Sequence, residues 1–439
     1  MTPIVDQAWL DAARLARRTG FGATGPEVDA VVAVGRPVFL AAALAADPAA
    51  DPGLVGLVTP DVSFVGRAGK NSDPAAKKAG IAQAKAQLVE LTGWWLRRMA
   101  MASSPVTEKV TFVWHNHFAT AASKVRSAAL MLEQNQTLRQ HGRGNFRTLA
   151  LSMLTDPAML YWLDGQKNVL GSPNENLSRE FMELFTLGHG NGYSEQDVKD
   201  GARALTGWTI NRAGQAQKVP AKHDTAAKTV LGVTGDLDET GYCDAILAQP
   251  AAAEHIVART YGQLGSDDPL PAAKLSAVAS RFASTWDISE MLTGLLTSDD
   301  FAAARGRAVI SPVEWLVGAV RALRVPLDDD ATVKRLGVVL QGLGQLPFYP
   351  PSVGGWPAGQ AWLSTAAADA RFATAAALVK KADLDTISAA APAGRVDAVG
   401  YLLGVGAWSE RSRATLQDSV SKPGQLVAIA LNTSEYLTN

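Results

Sequence analysis

Apolar residues recur at three- and four-residue spacing in most segments of this chain, and no stretch sustains the apolar–polar alternation of a half-buried strand. That pattern leaves helix packed on helix as the way to bury the stripes, since no run of strands is available to receive them. Alanine occupies many of the helical positions, where it loses no side-chain freedom. The expected fold is all-α, a multi-helix globular bundle or array. With 439 residues, 47% of them hydrophobic and 19% charged, the chain has ample apolar surface for a core and lies outside the composition of disordered segments.

A first helix is expected at about residues 6–18, closed by Thr19-Gly20-Phe21-Gly22, with Gly25-Pro26-Glu27 opening the next. Further helices are expected at about 74–102, 105–119, 123–140, 145–154, 174–187, 194–207, 242–263, 271–283, 287–297, 311–323, 331–342, 362–380 and 423–432. Residues 209–241 differ. They carry Gly214, Pro220, Gly232, Gly235 and Gly241 beside β-prone pieces such as Lys228-Thr229-Val230-Leu231-Gly232, and read as a long loop or small β-hairpin insertion. The organisation expected is one helical domain over 1–439, with room for two packed lobes, about 1–208 and about 242–439, joined by that loop.

Several function classes drop out early. Lys plus Arg total 41 against 42 Asp plus Glu, for a net charge of -1, so neither a basic nucleic-acid binder nor an acidic tail is expected. The single cysteine, Cys243, excludes an internal disulfide and any thiolate-rich metal centre. No Gly-x-Ser-x-Gly elbow, phosphate-cradling Gly-x-x-x-x-Gly-Lys loop or His-Glu-x-x-His pair occurs. Apolar runs such as Val38 to Ala46 fall short of the roughly 18 residues that a spanning helix needs. Met1-Thr2-Pro3-Ile4-Val5-Asp6 has no basic region followed by an apolar one, so a cytoplasmic location is expected, with export by another route left open.

Two local patterns resemble ligand loops and are read otherwise. Gly20-Phe21-Gly22-Ala23-Thr24-Gly25 matches a dinucleotide fingerprint, but the basic helical stretch Arg14 to Arg18 precedes it where a buried strand belongs. Asp236-Leu237-Asp238-Glu239-Thr240-Gly241 begins like a calcium loop, yet Leu247 stands where the bidentate Glu is required. It reads as an Asp-rich turn entering a helix.

Polar residues that are costly to bury concentrate in Trp114-His115-Asn116-His117-Phe118 and in Asn174-Glu175-Asn176-Leu177-Ser178-Arg179-Glu180-Phe181-Met182-Glu183-Leu184-Phe185. In the second stretch Asn174 is a plausible cap, and a helix places Asn176, Glu180 and Glu183 on one side. Arg179 stands four residues from both Glu175 and Glu183, which on a solvated face is an ordinary ion-pair ladder. The apolar neighbours favour partial burial instead, where two close carboxylates can share a proton, split acid and base roles or hold a cation. His115 and His117 are two apart and on a helix point away from each other, so at most one faces those carboxylates, as proton shuttle or ligand. A divalent cation is compatible with Glu180, Glu183 and His117, although no cofactor is required. His223 and Asp224 can close over the site on the long loop. Trp208, Trp356 and Trp362 are candidates for exposed aromatic platforms, whereas Trp94, Trp95 and Trp114 are expected in the core.

These motifs, together with Arg18-Thr19-Gly20-Phe21-Gly22, Asp156-Pro157-Ala158-Met159-Leu160, Glu183-Leu184-Phe185-Thr186-Leu187-Gly188, Ala202-Arg203-Ala204-Leu205-Thr206-Gly207-Trp208 and Pro350-Pro351-Ser352-Val353-Gly354-Gly355-Trp356-Pro357, resemble those of a bacterial family known only as domain of unknown function 1800. The resemblance runs over nearly the whole chain. It implies a largely helical fold and, as a partner, a protein of the domain of unknown function 1501 family, which resembles alkaline phosphatases and sulfatases. Many relatives are exported, whereas this sequence shows no such signal. It adds no activity.

The residues themselves point to a hydrolase or lyase acting on a carbohydrate or similar polar polymer. In this reading Glu180 and Glu183 are the acid/base pair, His115 or His117 the shuttle and Arg179 the orienter. Asn174, Glu175, Asn176, Trp208, His223, Asp224 and Trp356 are the substrate contacts. The alternative is a non-catalytic helical adaptor, or a metal-binding partner of the phosphatase-like protein, in which the same block is a polar network fixing the fold.

Overall fold

A computed structural model of the chain describes residues 6–65 and 73–438; the N-terminal reading made from Met1 to Val5 lies outside them. Helices begin where side-chain oxygens can satisfy their first N–H groups. Asp6 caps α1 (Gln7–Thr19), and Thr24 with Glu27 forms a capping box on α2 (Gly25–Val34), which α3 (Arg36–Ala45) follows. Asp73 caps the long α4 (Pro74–Met101). Next come α5 (Val106–His117), α6 (Ala122–Val125), α7 (Ala128–His141), α8 (Phe146–Leu154) and α9 (Pro157–Trp162). The helix expected over 123–140 is thus two, because Arg126 takes a left-handed φ of 56° between α6 and α7.

The helix expected over 174–187 is also divided, into α10 (Asn176–Glu180) and a π-helical turn, Phe181–Thr186. After α11 (Glu195–Ala204), the 209–241 insertion proves to be two antiparallel hairpins. β1 (Trp208–Ile210) pairs with β2 (Ala216–Lys218), and β3 (Lys228–Val230) with β4 (Val233–Gly235). Asp238 then accepts the N–H groups of Thr240 and Gly241 and so starts α12 (Glu239–Leu247), as expected of an Asp-rich turn. Pro250 opens α13 (Pro250–Leu264), splitting the expected 242–263 helix. The remaining helices are α14 (Ala272–Thr285), α15 (Ile288–Leu296), α16 (Asp299–Ala303), α17 (Pro312–Ala322), α18 (Asp330–Gly342), α19 (Thr365–Leu378), α20 (Asp385–Ala389), α21 (Arg395–Leu402), α22 (Glu410–Gln417), α23 (Pro423–Ala430) and α24 (Ser434–Leu437).

Two apolar cores result, and α5 serves both. Val110, Val113, Trp114 and Phe118 pack into a core with residues from α1–α3, α8 and α12–α15, while Phe112 faces a second built from α4, α7, α17 and the C-terminal helices. The first turn of α5 also carries Glu108 and Lys109, both buried. Glu108 receives Arg139 of α7 through two bonds of 2.8 Å, Arg98 of α4 at 2.6 Å and the Trp95 indole N–H at 3.0 Å. Lys109 makes a short contact to Glu314 of α17, which Arg18 of α1 also approaches.

The basic stretch of α1 is buried as well. Its guanidiniums donate to carbonyls at helix ends that have no partner within their own helix. Arg18 bonds Gln263 and Leu264 at the end of α13, Arg14 bonds Gly265 and Phe301, and Arg17 bonds Glu435 and Tyr436 of α24. The glycine turn that follows belongs to the same packing. Gly22, at φ 74°, lies against the Gly318 backbone of α17, with a helix rather than a strand before it.

Replacing Glu108 by Gln leaves Arg139 and Arg98 without a counter-charge, and urea unfolding is expected to show a loss of about 3–5 kcal/mol. Burial opposes ionisation of Glu314, yet Lys109 and Arg18 hold its carboxyl below the ordinary carboxylate value. A depressed carboxyl stabilises the fold above its unfolded pKa and stops doing so as pH falls past it. The stability difference between wild type and Glu314→Gln should therefore be constant between about pH 5 and pH 7, below the pH at which the buried Lys109 loses its charge, and shrink below about pH 4.5; a difference unchanged down to pH 3 would contradict the assignment.

Candidate functional site

The polar block around Arg179 is shaped by the π-helical turn. One extra residue per turn moves the hydrogen bonds from i−4 to i−5: Leu187 N–H reaches Met182 carbonyl at 2.8 Å, and the Thr186 hydroxyl reaches Phe181 carbonyl at 2.5 Å. The turn ends at Gly188, whose φ of 85° supplies the left-handed residue that commonly terminates a helix. Two histidines from other helices complete that end. His117 of α5 donates through Nε2 to Phe185 carbonyl at 2.8 Å, and His255 of α13 through Nε2 to Leu184 carbonyl at 3.1 Å.

The carboxylates lie on the solvent side. Arg179 spans α10 and α11: it meets Glu175 at 3.1 Å and Glu183 at 3.4 Å, and it is gripped by both oxygens of Glu195, at 2.8 and 2.7 Å. Sequence spacing finds the first two partners and misses Glu195, the strongest, because it arrives from the next helix. Glu183 also approaches His189 Nδ1 at 3.2 Å, and the Tyr193 hydroxyl lies beside it. Glu180 is half-buried and accepts no hydrogen bond among the described residues. Burial first, and the Glu183 charge second, push its carboxyl pKa above the ordinary value.

The expected histidines do not join these carboxylates. His115 and His117 are each 1% exposed. His115 Nε2 accepts the Phe348 N–H at 3.1 Å, holding that residue at a φ of 69°, and burial drives the imidazole pKa down to about 3. In this position it serves the fold, as the acceptor that fastens the Phe348 turn to α5. For His117 burial also dominates, and the other charges acting on it are Arg259 and His255, not Glu180 or Glu183. Among the described residues no three His, Cys, Asp or Glu side chains gather as a metal-binding set, so Glu180, Glu183 and His117 are not assembled into one.

The other expected contacts are similarly dispersed. Asn174 accepts the Asn176 N–H at 3.1 Å, a local turn at the start of α10, and Asn176 itself is exposed. His223 Nδ1 bonds the Thr206 carbonyl at 2.9 Å, and Asp224 pairs with Arg203 at 2.7 Å, so the loop is fastened to the end of α11. Trp208 is partly buried at the start of β1. Trp356 and Trp362 are 5% and 6% exposed, which overturns their reading as open platforms. The Trp356 ring stacks on Phe112 at 5.7 Å, and its backbone N–H binds Asn116 Oδ1 at 2.8 Å, because Gly355 lets the loop approach α5 closer than any side chain permits. Asn116 Nδ2 in turn donates to Gln263 at 2.9 Å. Spacing analysis passed over His255 and Arg259, which stand four apart on one face of α13.

Comparison with known proteins gives one match. The family described as "Protein of unknown function (DUF1800)" matches residues 14–438, a span that includes every candidate site residue described above. No curated protein and no solved structure matches the chain significantly.

Two substitutions separate the buried from the exposed part of this region. Gly188→Ala forces a side chain into a left-handed backbone and sets its methyl 2.7 Å from His255 Nδ1; thermal unfolding should reveal a loss of about 1–3 kcal/mol. Arg179→Met removes four exposed or half-exposed contacts and is expected to cost about 1 kcal/mol or less.

Proposed function

The chain belongs to the family described as "Protein of unknown function (DUF1800)", and from its own geometry we propose that it is an acid–base enzyme, a hydrolase or lyase acting on a carbohydrate or similar polar polymer. The observation that carries this reading is Glu180: a half-buried carboxyl with raised pKa, no hydrogen-bond partner among the described residues and a second carboxylate beside it. A carboxyl so placed keeps its proton nearer to neutral pH, which suits a general acid. Glu180 gives its proton to the leaving oxygen. Glu183 takes one, from water in a hydrolysis or from the carbon next to a carboxyl in an elimination. Arg179 orients Glu183 and is itself steadied by Glu195. His189, which reaches Glu183 from a largely exposed position, returns the proton to solvent. It takes the role that the sequence had offered to His115 or His117.

A second reading has its own support. His115, Asn174, His223 and Asp224 all bind backbone or ion-pair partners within the fold, as befits a helical adaptor for the phosphatase-like protein of the 1501 family.

Release of reducing ends, or of unsaturated products absorbing in the ultraviolet, from a panel of neutral and acidic polysaccharides tests the first reading. Glu180→Gln should lower turnover by about 10²-fold or more at unchanged melting temperature. Wild-type rates in that variant would remove Glu180 from the chemistry. Absence of turnover on every polymer, with saturable binding of the 1501-family protein in a calorimetric titration, would favour the adaptor.

A further inference from the structure

His117 and Arg259 are left over from the reading above, and each holds a polar atom that the fold does not satisfy. Donation from Nε2 to the Phe185 carbonyl fixes the His117 tautomer and leaves Nδ1 as a lone-pair acceptor. That Nδ1 is buried with no partner. Arg259 spends Nη2 on the Gly354 carbonyl at 2.8 Å, while its Nε is likewise buried without a partner. No carboxylate pairs with this guanidinium among the described residues, in contrast to Arg18, Lys109 and Arg139. A mostly buried cation with neither counter-charge nor full hydrogen bonding is unfavourable unless something else supplies both.

The last turn of α5 packs on α13, where Asn116 bonds Gln263 and Arg259 holds the Gly354 carbonyl of the loop that meets Asn116; after burial, the Arg259 charge is the largest influence lowering the His117 imidazole. His255, also on α13, is the other titratable group acting on it. Arg259 and His255 are only part-buried, as is Gly354 across from them, whereas the two unpartnered nitrogens are themselves covered, so a ligand reaches them by displacing part of that cover. The free groups are complementary in a particular sense. One is a charged donor and the other a neutral acceptor, so a bare anion suits Arg259 but meets a lone pair at His117 Nδ1. A group that joins a negative oxygen to a hydroxyl satisfies both.

We infer that Arg259 and His117 form a binding site for a hydroxyl-bearing oxyanion, either a hydrogen phosphate group or an α-hydroxy carboxylate. Arg259 Nε–H donates to the negative oxygen, and the ligand hydroxyl donates to His117 Nδ1. The end of the π-helical turn orients His117 through Phe185, the way a ligating imidazole is held from its far nitrogen. No residue is shared with the Glu180–Glu183 face, so the two proposals stand or fall separately.

Calorimetric titration of the full chain with inorganic phosphate, lactate, acetate and chloride at constant ionic strength tests the site, with the histidine ¹⁵N resonances followed alongside. Phosphate or lactate should bind saturably and shift His117 Nδ1; acetate, which lacks the hydroxyl, should bind about tenfold more weakly and chloride not at all. The tighter of phosphate and lactate identifies which class the site takes. Arg259→Gln, and also Arg259→Lys, which keeps the charge but lacks Nε–H, should each weaken binding about tenfold or more. Equal affinity for acetate and lactate, or undiminished binding by Arg259→Gln, would overturn the inference. Should the Arg259 variants not fold, an unmoved His117 resonance at millimolar phosphate and lactate in the wild-type chain overturns it equally.

Discussion

Glu108 and Lys109 are neighbours in sequence, opposite in charge and both buried in the first turn of one helix. Successive residues on a helix point about 100° apart, so the pair grips two different sides of the molecule. Glu108 draws in α4 and α7 through Arg98 and Arg139, and Lys109 draws in α17 and α1 through Glu314. Alanine-rich stripes are smooth and discriminate poorly between one helix register and another. Two charges that each need a partner allow far fewer arrangements, since a misplaced helix would leave one of them buried alone. The apolar cores supply the driving force, and these ion pairs decide how the helices around α5 are arranged.

The site follows from that placement. Once the first turn of α5 is anchored, its last turn delivers His115, Asn116 and His117 to three different neighbours: the Phe348 turn, the Gly354–Trp356 loop and the π-helical turn. The two-residue spacing of the histidines, which on paper competes for one metal or one proton, serves instead to brace two separate segments. The acidic face on α10 then stands apart, linked to α11 by Arg179 and Glu195 and open to solvent.

Much of this was legible in the residues. The helical periodicity and the glycine- and proline-rich 209–241 insertion are legible because each is a local property of the chain, whereas the breaks at Arg126, Phe181 and Pro250 divide three of the expected helices and Glu175, not Asn174, stands at the start of α10. The π-helical turn was not legible. It changes the period by one residue over six positions, too short a window to separate from ordinary helix, and it is stabilised by His117 and His255, 68 and 71 residues from the carbonyls they bind. Trp356 was misread for a related reason. A tryptophan after a glycine in a Pro-Gly-rich loop has the local marks of an exposed ring, and its burial depends on Gly355 meeting Asn116, 239 positions earlier in the chain. The burial of Arg14, Arg17 and Arg18 was equally invisible, since their acceptors are backbone carbonyls, which carry no sequence signature.

Those three arginines bear on the order in which the molecule can form. Arg18 and Arg14 wait for carbonyls some 250 to 290 positions downstream, and Arg17 for carbonyls 418 and 419 positions away. Contacts between segments so distant form slowly, because the intervening chain must first be brought into place. The packing of α1 on α2 is local, so it is only the guanidinium bonds of α1 that must wait for α13, α16 and α24. Until those segments are in position, its three charged heads favour water over the interior, and each arrival withdraws one of them.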